Sequence, residues 1–436
     1  MRAFVSFLVL IIVVVAIVFG YFWGTSGPTT SFTPASGPIS ATRPLVVKVN
    51  APRGDLKNFK IEVLQGQKTV PVLVKTYPSG LRSAQETFNL AQSGLKDGPF
   101  ILQVTATGST FFGSGRSAAQ SHSFTFDNTP PIVAVLSTAH NIIRGGVGLV
   151  VYTVSKQVEK TGVVFADRFF PGFPQAGGYY ACLFPFPYDM EPERYVPRVI
   201  AVDKAGNERQ AGINFHLLVK HFSTDKINLS DSFLEKVAAE FKNKFPQAAT
   251  PLEIFLKANG DLRRENIKSL YEYGHQTSPA PLWQGVFLRM PNTAPLGGFA
   301  QTRFYIYQGK QVDQQTHLGF DLASIAHAAV PAANKGRVVF AGDLGIYGQC
   351  VVIDHGMGLQ TLYGHLSRMT VKAGDNVEKG QTIGNSGASG MAAGDHLHYG
   401  VTISGQEVNP VEWWDQSWIK NNITGKLEMA KGSGTK

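Results

Sequence analysis

His396-Leu397-His398-Tyr399-Gly400-Val401 sets leucine, tyrosine and valine at every second position, the period of a β-strand. Residues i and i+2 of a strand share a face with Cα atoms ~6.6 Å apart, so the imidazoles of His396 and His398 stand side by side. Two histidines placed so can bind one metal ion, or one can bind while its neighbour handles a proton. Upstream lie His317-Leu318-Gly319-Phe320-Asp321 and Tyr363-Gly364-His365-Leu366, and six of the 11 histidines fall between 317 and 398. Four residues of straight strand span ~13 Å, too far for His317 and Asp321 to share an ion. A helix would join them, but Gly319 argues against one, and the pattern predicts a bent strand or loop with Gly319 permitting the bend. The surroundings, about 280 to 418, read as short strands rich in glycine.

Composition limits the chemistry. The chain has 436 residues, enough for two to four domains at ~100–200 residues each. Its two cysteines, Cys182 and Cys350, can build neither a disulfide scaffold nor a cysteine-only zinc site. Any metal must be held mainly by histidine and carboxylate. Two neutral histidines and an aspartate leave zinc near +1, a charge that acidifies bound water and polarises a peptide carbonyl. No His-Glu-x-x-His motif occurs, so spare histidines, with pKa ~6.5, must move protons or stabilise an oxyanion. His327, His355 and the five earlier histidines read as surface or packing residues, Asp354 as part of a solvated turn, and Cys350 as buried. The net charge of +9 is compatible with nucleic acid, a membrane surface or an anionic wall polymer. Its dispersal along the chain weighs against nucleic acid.

Together the three histidine segments resemble the lysostaphin-type, or LytM-domain, zinc metalloendopeptidases that cut peptidoglycan cross-links. The likeness covers about 135 residues. It includes Phe299 to Arg303, His317-x-Gly-x-Asp321, Val351 to His355, and Tyr363-x-His365-Leu366. It continues through Val371-Lys372-Ala373-Gly374-Asp375-x-Val377, Lys379-Gly380-Gln381-x-Ile383-Gly384, the glycine-rich run to Gly394, His396-Leu-His398 and Val408-Asn409-Pro410. The resemblance implies one zinc ion per chain on His317, Asp321 and His398, with His365 and His396 as the catalytic pair. It also implies a small, mostly antiparallel β domain with a groove across one sheet. Many relatives follow the second histidine with an aromatic residue and then Glu, whereas here Tyr399 precedes Gly400.

The upstream chain reads as modules. Ala3 to Trp23 carries no charge and would form about 31 Å of helix, enough to cross a bilayer as an uncleaved anchor over residues 1–23. Arg2 precedes it and the next charge is Arg43, an asymmetry that puts the N-terminus in the cytoplasm and the body outside. Residues 24–42, charge-free and rich in Gly, Ser, Thr and Pro, read as a flexible tether. Alternating runs at Leu45–Val49, Phe59–Val63, Thr69–Val74 and Phe100–Val104 predict a β-sandwich over 43–127. A second follows over 129–221, although Gly177-Gly-Tyr-Tyr and the proline-rich segment after Cys182 fit it poorly. The Asp127-Asn-Thr-Pro-Pro seam and the Asp203-Lys-Ala-Gly-Asn207 turn resemble tandem bacterial immunoglobulin-like modules.

Residues 222–279 predict a helical insert. One helix is capped by a box from Ser232 to Glu235, a second starts at Thr250-Pro251 and stops near Asn259-Gly260, and a third runs from Asp261 to Gly274. The peptidase domain then occupies 280–418 and a tail 419–436, disordered from Gly432. The expected class is mainly β, with two sandwich modules, a short helical insert and the peptidase domain behind one transmembrane helix. The expected function is a membrane-anchored zinc endopeptidase of the periplasm, with peptidoglycan and the membrane as partners and no nucleic acid. Family analogy points to D-alanyl–diaminopimelyl cross-links. The alternatives are a catalytically quiet wall-binding scaffold or activator and a zinc protease of exported proteins. The sandwiches and insert, just ahead of the enzyme, could also shield its groove.

Overall fold

A helix, α1, covers Arg2–Gly24 in the computed structural model, which describes residues 2–24, 27–52, 54–109, 117–138 and 140–433. Side chains of α1 are described for residues 6–18, all of them exposed. Thirteen residues make about 20 Å of helix, and among the described residues no helix is long and apolar enough to cross a membrane. The anchor expected over 1–23 therefore falls partly outside the described residues. The chain divides into two compact units: residues 1–132 with 156–159 and 201–209, and residues 133–155 with 160–200 and 210–436.

The first unit corrects the tether. Thr29–Thr33 pairs antiparallel with Leu45–Asn50, and Gly37–Ile39 pairs parallel with Ser117–Phe126. The physical reason is two apolar side chains hidden in a polar stretch. Phe32 and Ile39 are buried, and Phe32 meets Phe88 and Phe124 edge-on. A three-stranded sheet (29–33, 45–50, 83–88) and a five-stranded one (37–39, 117–126, 98–108, 56–65, 68–76) share one apolar core. Pro71 is tolerated because 68–76 is an edge strand whose register shifts opposite it. The two motifs read as module seams meet around Lys156, whose Nζ lies 2.7 Å from Asp127 Oδ2 and 2.8 Å from Asp203 Oδ2.

In the second unit, Tyr179–Pro185 pairs with both Val147–Val154 and Phe173–Gln175, so the segment that fitted a sandwich poorly is a buried strand. A long antiparallel sheet follows, in the order 294–297, 320–323, 397–403, 359–366, 349–354, 336–343, 376–377, with 406–408 on the 397–403 strand. One continuous core joins residues of 142–213 to those of 283–430. The boundary expected at 418 cuts a helical segment. Gln416 to Ser433 is helical, and Ile419, Ile423 and Ala430 are buried, so the tail packs as far as it is described. Residues 434–436 lie outside the described residues.

The insert contributes a strand and helices. Thr224–Asn228 pairs parallel with Gln301–Tyr307. Helix α2, Asp231–Phe241, is capped by Ser230, whose Oγ accepts from Phe233 N at 3.2 Å, two residues ahead of the expected cap. Thr250 caps α3, Pro251–Lys257, as expected. No break occurs at Asn259-Gly260, because a wide turn over Ala258–Leu262 carries the helix into α4, Arg263–Tyr273. Asn259 is buried there and donates to Asp313 Oδ2 at 2.7 Å, a tertiary partner that keeps it helical. The apolar stripe Leu234, Val237 and Phe241 packs with Tyr347, Cys350, Val352 and Leu362 of the sheet domain.

Candidate metal centre

The centre begins with register. Asp321 stands directly opposite His398 on paired antiparallel strands, and Gly364 is the partner of His398 on the other side. Cross-strand neighbours hold their Cβ atoms ~4.5–5.5 Å apart, so a carboxylate and an imidazole meet by backbone geometry alone. His317 ends the strand Lys310–His317, the chain bends at Leu318-Gly319, and the strand Phe320–Ala323 carries Asp321 back toward it. The bend matches the expectation, but the reason for glycine differs. A Cβ at Gly319 would overlap the imidazole of His398, so the residue is needed for space rather than for an unusual φ.

The result is a triangle of donor atoms. His317 Nε2 lies 3.0 Å from Asp321 Oδ1 and 3.0 Å from His398 Nδ1, and His398 Nδ1 lies 3.0 Å from Asp321 Oδ1. All three residues are buried. His317 Nδ1–H donates to the Gly298 carbonyl at 2.9 Å, which leaves Nε2 as a lone pair. A single N–H from His398 could serve only one edge of the triangle, whereas a cation serves every corner. Tetrahedral zinc with ~2.0–2.1 Å bonds would set such edges near 3.3 Å, so the residues present fit the ion with little movement.

Electrostatics favours the same state. Burial raises the Asp321 carboxyl, but His317 and His398 outweigh it and hold its pKa well below the usual range. Burial pushes the His398 imidazole down to about 4 against the pull of Asp321. A neutral imidazole beside an ionised carboxylate is the protonation state that ligates metal. Arg303 adds support: its Nη2 donates to Asp321 Oδ2 at 2.8 Å and its Nε to Gln301 Oε1 at 3.1 Å. No reading of the residues gave Arg303 a role. The available signal was its place two residues from Gln301, on a strand that pairs Gln301 with His317.

His365 and His396 lie beside the triangle with ring centroids 4.8 Å apart. His365 Nδ1–H donates to Ser389 O at 2.8 Å and His396 Nδ1–H to Gly394 O at 2.9 Å, so each Nε2 is an acceptor. His396 Nε2 lies 3.6 Å from Asp321 Oδ1. Burial lowers the His365 pKa well below its ordinary value, and His396 and His398 add to the shift. Its backbone sits at φ +62°, a left-handed conformation that costs a non-glycine residue about 1–3 kcal/mol. The five expected residues share a cleft of about 390 Å³, also lined by Arg303, Tyr347, Arg263, Phe233 and Phe255.

The other candidates lie elsewhere. His355 is buried, Nδ1–H donating to Lys335 O at 2.8 Å and Nε2 lying 2.7 Å from Thr361 Oγ1. Asp354 is not in a solvated turn. It is buried and accepts from Thr277 Oγ1 and from the Ser278 and Gly356 amides at 2.7, 2.9 and 3.0 Å. Both cysteines are buried and unpaired.

Residues 315–410 match the family described as Peptidase family M23, so this part of the chain is similar to the metallopeptidase domains of that family. A DD-carboxypeptidase/endopeptidase Mpg of Neisseria meningitidis serogroup B is 44% identical over 95 residues, 22% of each chain. The peptidoglycan DD-endopeptidase ShyA of Vibrio cholerae is 40% identical over 96 residues, again 22% of each. The catalytic domain of lysostaphin from Staphylococcus simulans is 28% identical, covering 28% of this chain and 92% of that one, with a TM-score of 0.25. The chain thus spans about a fifth of the length of the curated relatives it matches.

Proposed function

We propose that this protein is a membrane-anchored zinc metalloendopeptidase that hydrolyses peptide cross-links of peptidoglycan. The observation that carries the reading is the buried triangle of His317, Asp321 and His398 with two non-ligand histidines beside it. When bound there, zinc supplies Lewis acidity toward water and toward the scissile carbonyl. His365 and His396, each with Nδ1–H tied to a backbone carbonyl, present Nε2 to the cleft. One can accept a proton from the nucleophile and the other, once protonated, can stabilise the oxyanion or return the proton to the leaving amine. Arg303 holds Asp321 in its ligating orientation. The names of the relatives supply the substrate class, and the net charge of +9 suits an anionic wall polymer.

The exposed apolar side chains between residues 7 and 18 support a single-pass anchor. In this reading the N-terminus is cytoplasmic and the body periplasmic. The two-sheet modules ahead of the catalytic domain are immunoglobulin-like spacers or wall-binding elements. A quiet scaffold is the less favoured reading, since nothing in that role calls for an intact donor triangle. The test is incubation of the full chain with purified sacculi, followed by mass spectrometry of the muropeptides. Loss of D-alanyl–diaminopimelyl dimers, abolished by chelator and restored by zinc, is expected. Unchanged dimers with retained sacculus binding and no zinc would overturn the enzyme in favour of the scaffold.

A further inference from the structure

We propose that helix α2 is a positioning element of the active site, acting through Lys236 and Glu240 on the loop 388–392 and thereby on His365. Lys236 Nζ donates to Ala388 O at 2.7 Å and to Ala392 O at 2.6 Å, and Glu240 Oε1 accepts from Gly390 N. The two side chains are four apart on one face of α2, so cation and carboxylate grip the loop from the same side. Between the gripped residues lies Ser389, whose carbonyl accepts the His365 Nδ1–H. The sheet holds the same loop from beneath: Ser389 Oγ accepts from Gln349 N at 2.9 Å and donates to Leu366 O at 2.8 Å.

One further backbone bond holds the loop, from Met391 N to Ile346 O at 2.9 Å. Between Asn385 and Leu397 the chain forms no strand, only an isolated bridge of Gly387 to His396. The carbonyls of Ala388 and Ala392 accept charge-assisted bonds from the Lys236 ammonium, which are roughly twice as strong as neutral ones. Through Ser389 those bonds set which nitrogen of His365 carries its proton and where Nε2 points. The insert is thus part of the site's support, a role opposite to that of a removable shield.

The inference rests on the proposed role of His365 for its kinetic arm alone. The experiment uses the full zinc-loaded chain with Lys236→Met, Glu240→Gln and the conservative Lys236→Arg. Three quantities are measured: zinc content, kcat and KM on a cross-linked muropeptide dimer, and hydrogen exchange of 386–396 with the His365 ring N–H signal by NMR. In Lys236→Met and Glu240→Gln, kcat is expected to fall about 10–100-fold with KM within about twofold and zinc content unchanged. Exchange in the loop should quicken and the ring N–H signal should shift, while Lys236→Arg restores both. Unchanged exchange and ring signal in both variants, or loss of zinc in step with kcat, would overturn the proposal. A wild-type chain inactive on the dimer would sink the proposed function instead, with the exchange and NMR results still deciding the clamp.

Discussion

Gly319 and His398 are packed so closely that a methyl group on the glycine would overlap Cε1 and Nε2 of the imidazole. The backbone carbonyl of Tyr399 lies 2.9 Å from the same position, so the added methyl is crowded by backbone as well as by the ring. Gly319→Ala is therefore expected to displace His398 from the triangle and weaken zinc binding about 10–100-fold, the usual penalty for disturbing a ligand's support. Competition titration against a chelating dye checks this, with circular dichroism to confirm the fold. Wild-type affinity would remove the steric argument.

Zinc content and hydrolysis should separate between neighbouring histidines. His398→Ala removes a corner of the triangle and is expected to lose both. His365→Ala leaves the three donors in place and is expected to keep zinc while activity falls about 10²–10⁴-fold, the range for a positioned acid–base group. Atomic absorption on the two variants, beside muropeptide release, makes the comparison. Zinc loss in His365→Ala would show the assignment of donors to be wrong.

Lys156 couples the two seam motifs of the first unit. Asp203 is 1% exposed and relies on Lys156 and on the Ala205 and Asn207 amides, both at 2.9 Å. Lys156→Met leaves that carboxylate buried without its cation and should destabilise the unit by about 2–4 kcal/mol. Burial raises the Asp203 pKa, but Lys156 and Asn207 outweigh it and the net shift is downward. Its stabilisation is thus present above the unfolded value near 3.8 and lost as pH falls through the folded one. Denaturant unfolding at pH 7 and at pH 3 checks both: the deficit of Lys156→Met should shrink at the lower pH.

His355 should make stability fall on the acid side. Burial takes its pKa from 6.5 down to about 4, so the folded state keeps it neutral where the unfolded state binds a proton. Its contribution is complete above pH 6.5, declines as pH falls between 6.5 and 4, and then levels. Within that window the slope is about 1.4 kcal/mol per pH unit for one proton. His355→Gln should flatten the profile by that amount relative to wild type, read from urea midpoints at pH 5 and 7. Parallel profiles would show that the imidazole does not bury neutral.

The histidine segments were legible in the sequence because period-2 alternation fixes which residues share a face, and His398 does face Asp321 across a strand pair. The tether and the break at Asn259 were misread for one reason. Local composition records the average polarity of a stretch, whereas Phe32, Ile39 and Asn259 are ordered by partners far along the chain. Arg303 escaped because a lone arginine on a strand looks like any surface charge until its neighbour across the turn is known.

Spacing and residue type determined the strand-rich class and the chemistry available to any metal, and the likeness of the short histidine segments to a known family pointed to the five residues around the cleft, since each is a property of short segments. Tertiary structure decided the rest. It brought Gly298 and Ser389 to the imidazole nitrogens, set Arg303 on the carboxylate and laid α2 over the loop beside His365. Those contacts join residues whose separation in the chain reaches well over a hundred positions, and no periodicity of a local segment encodes a bond that exists only after the sheet has closed.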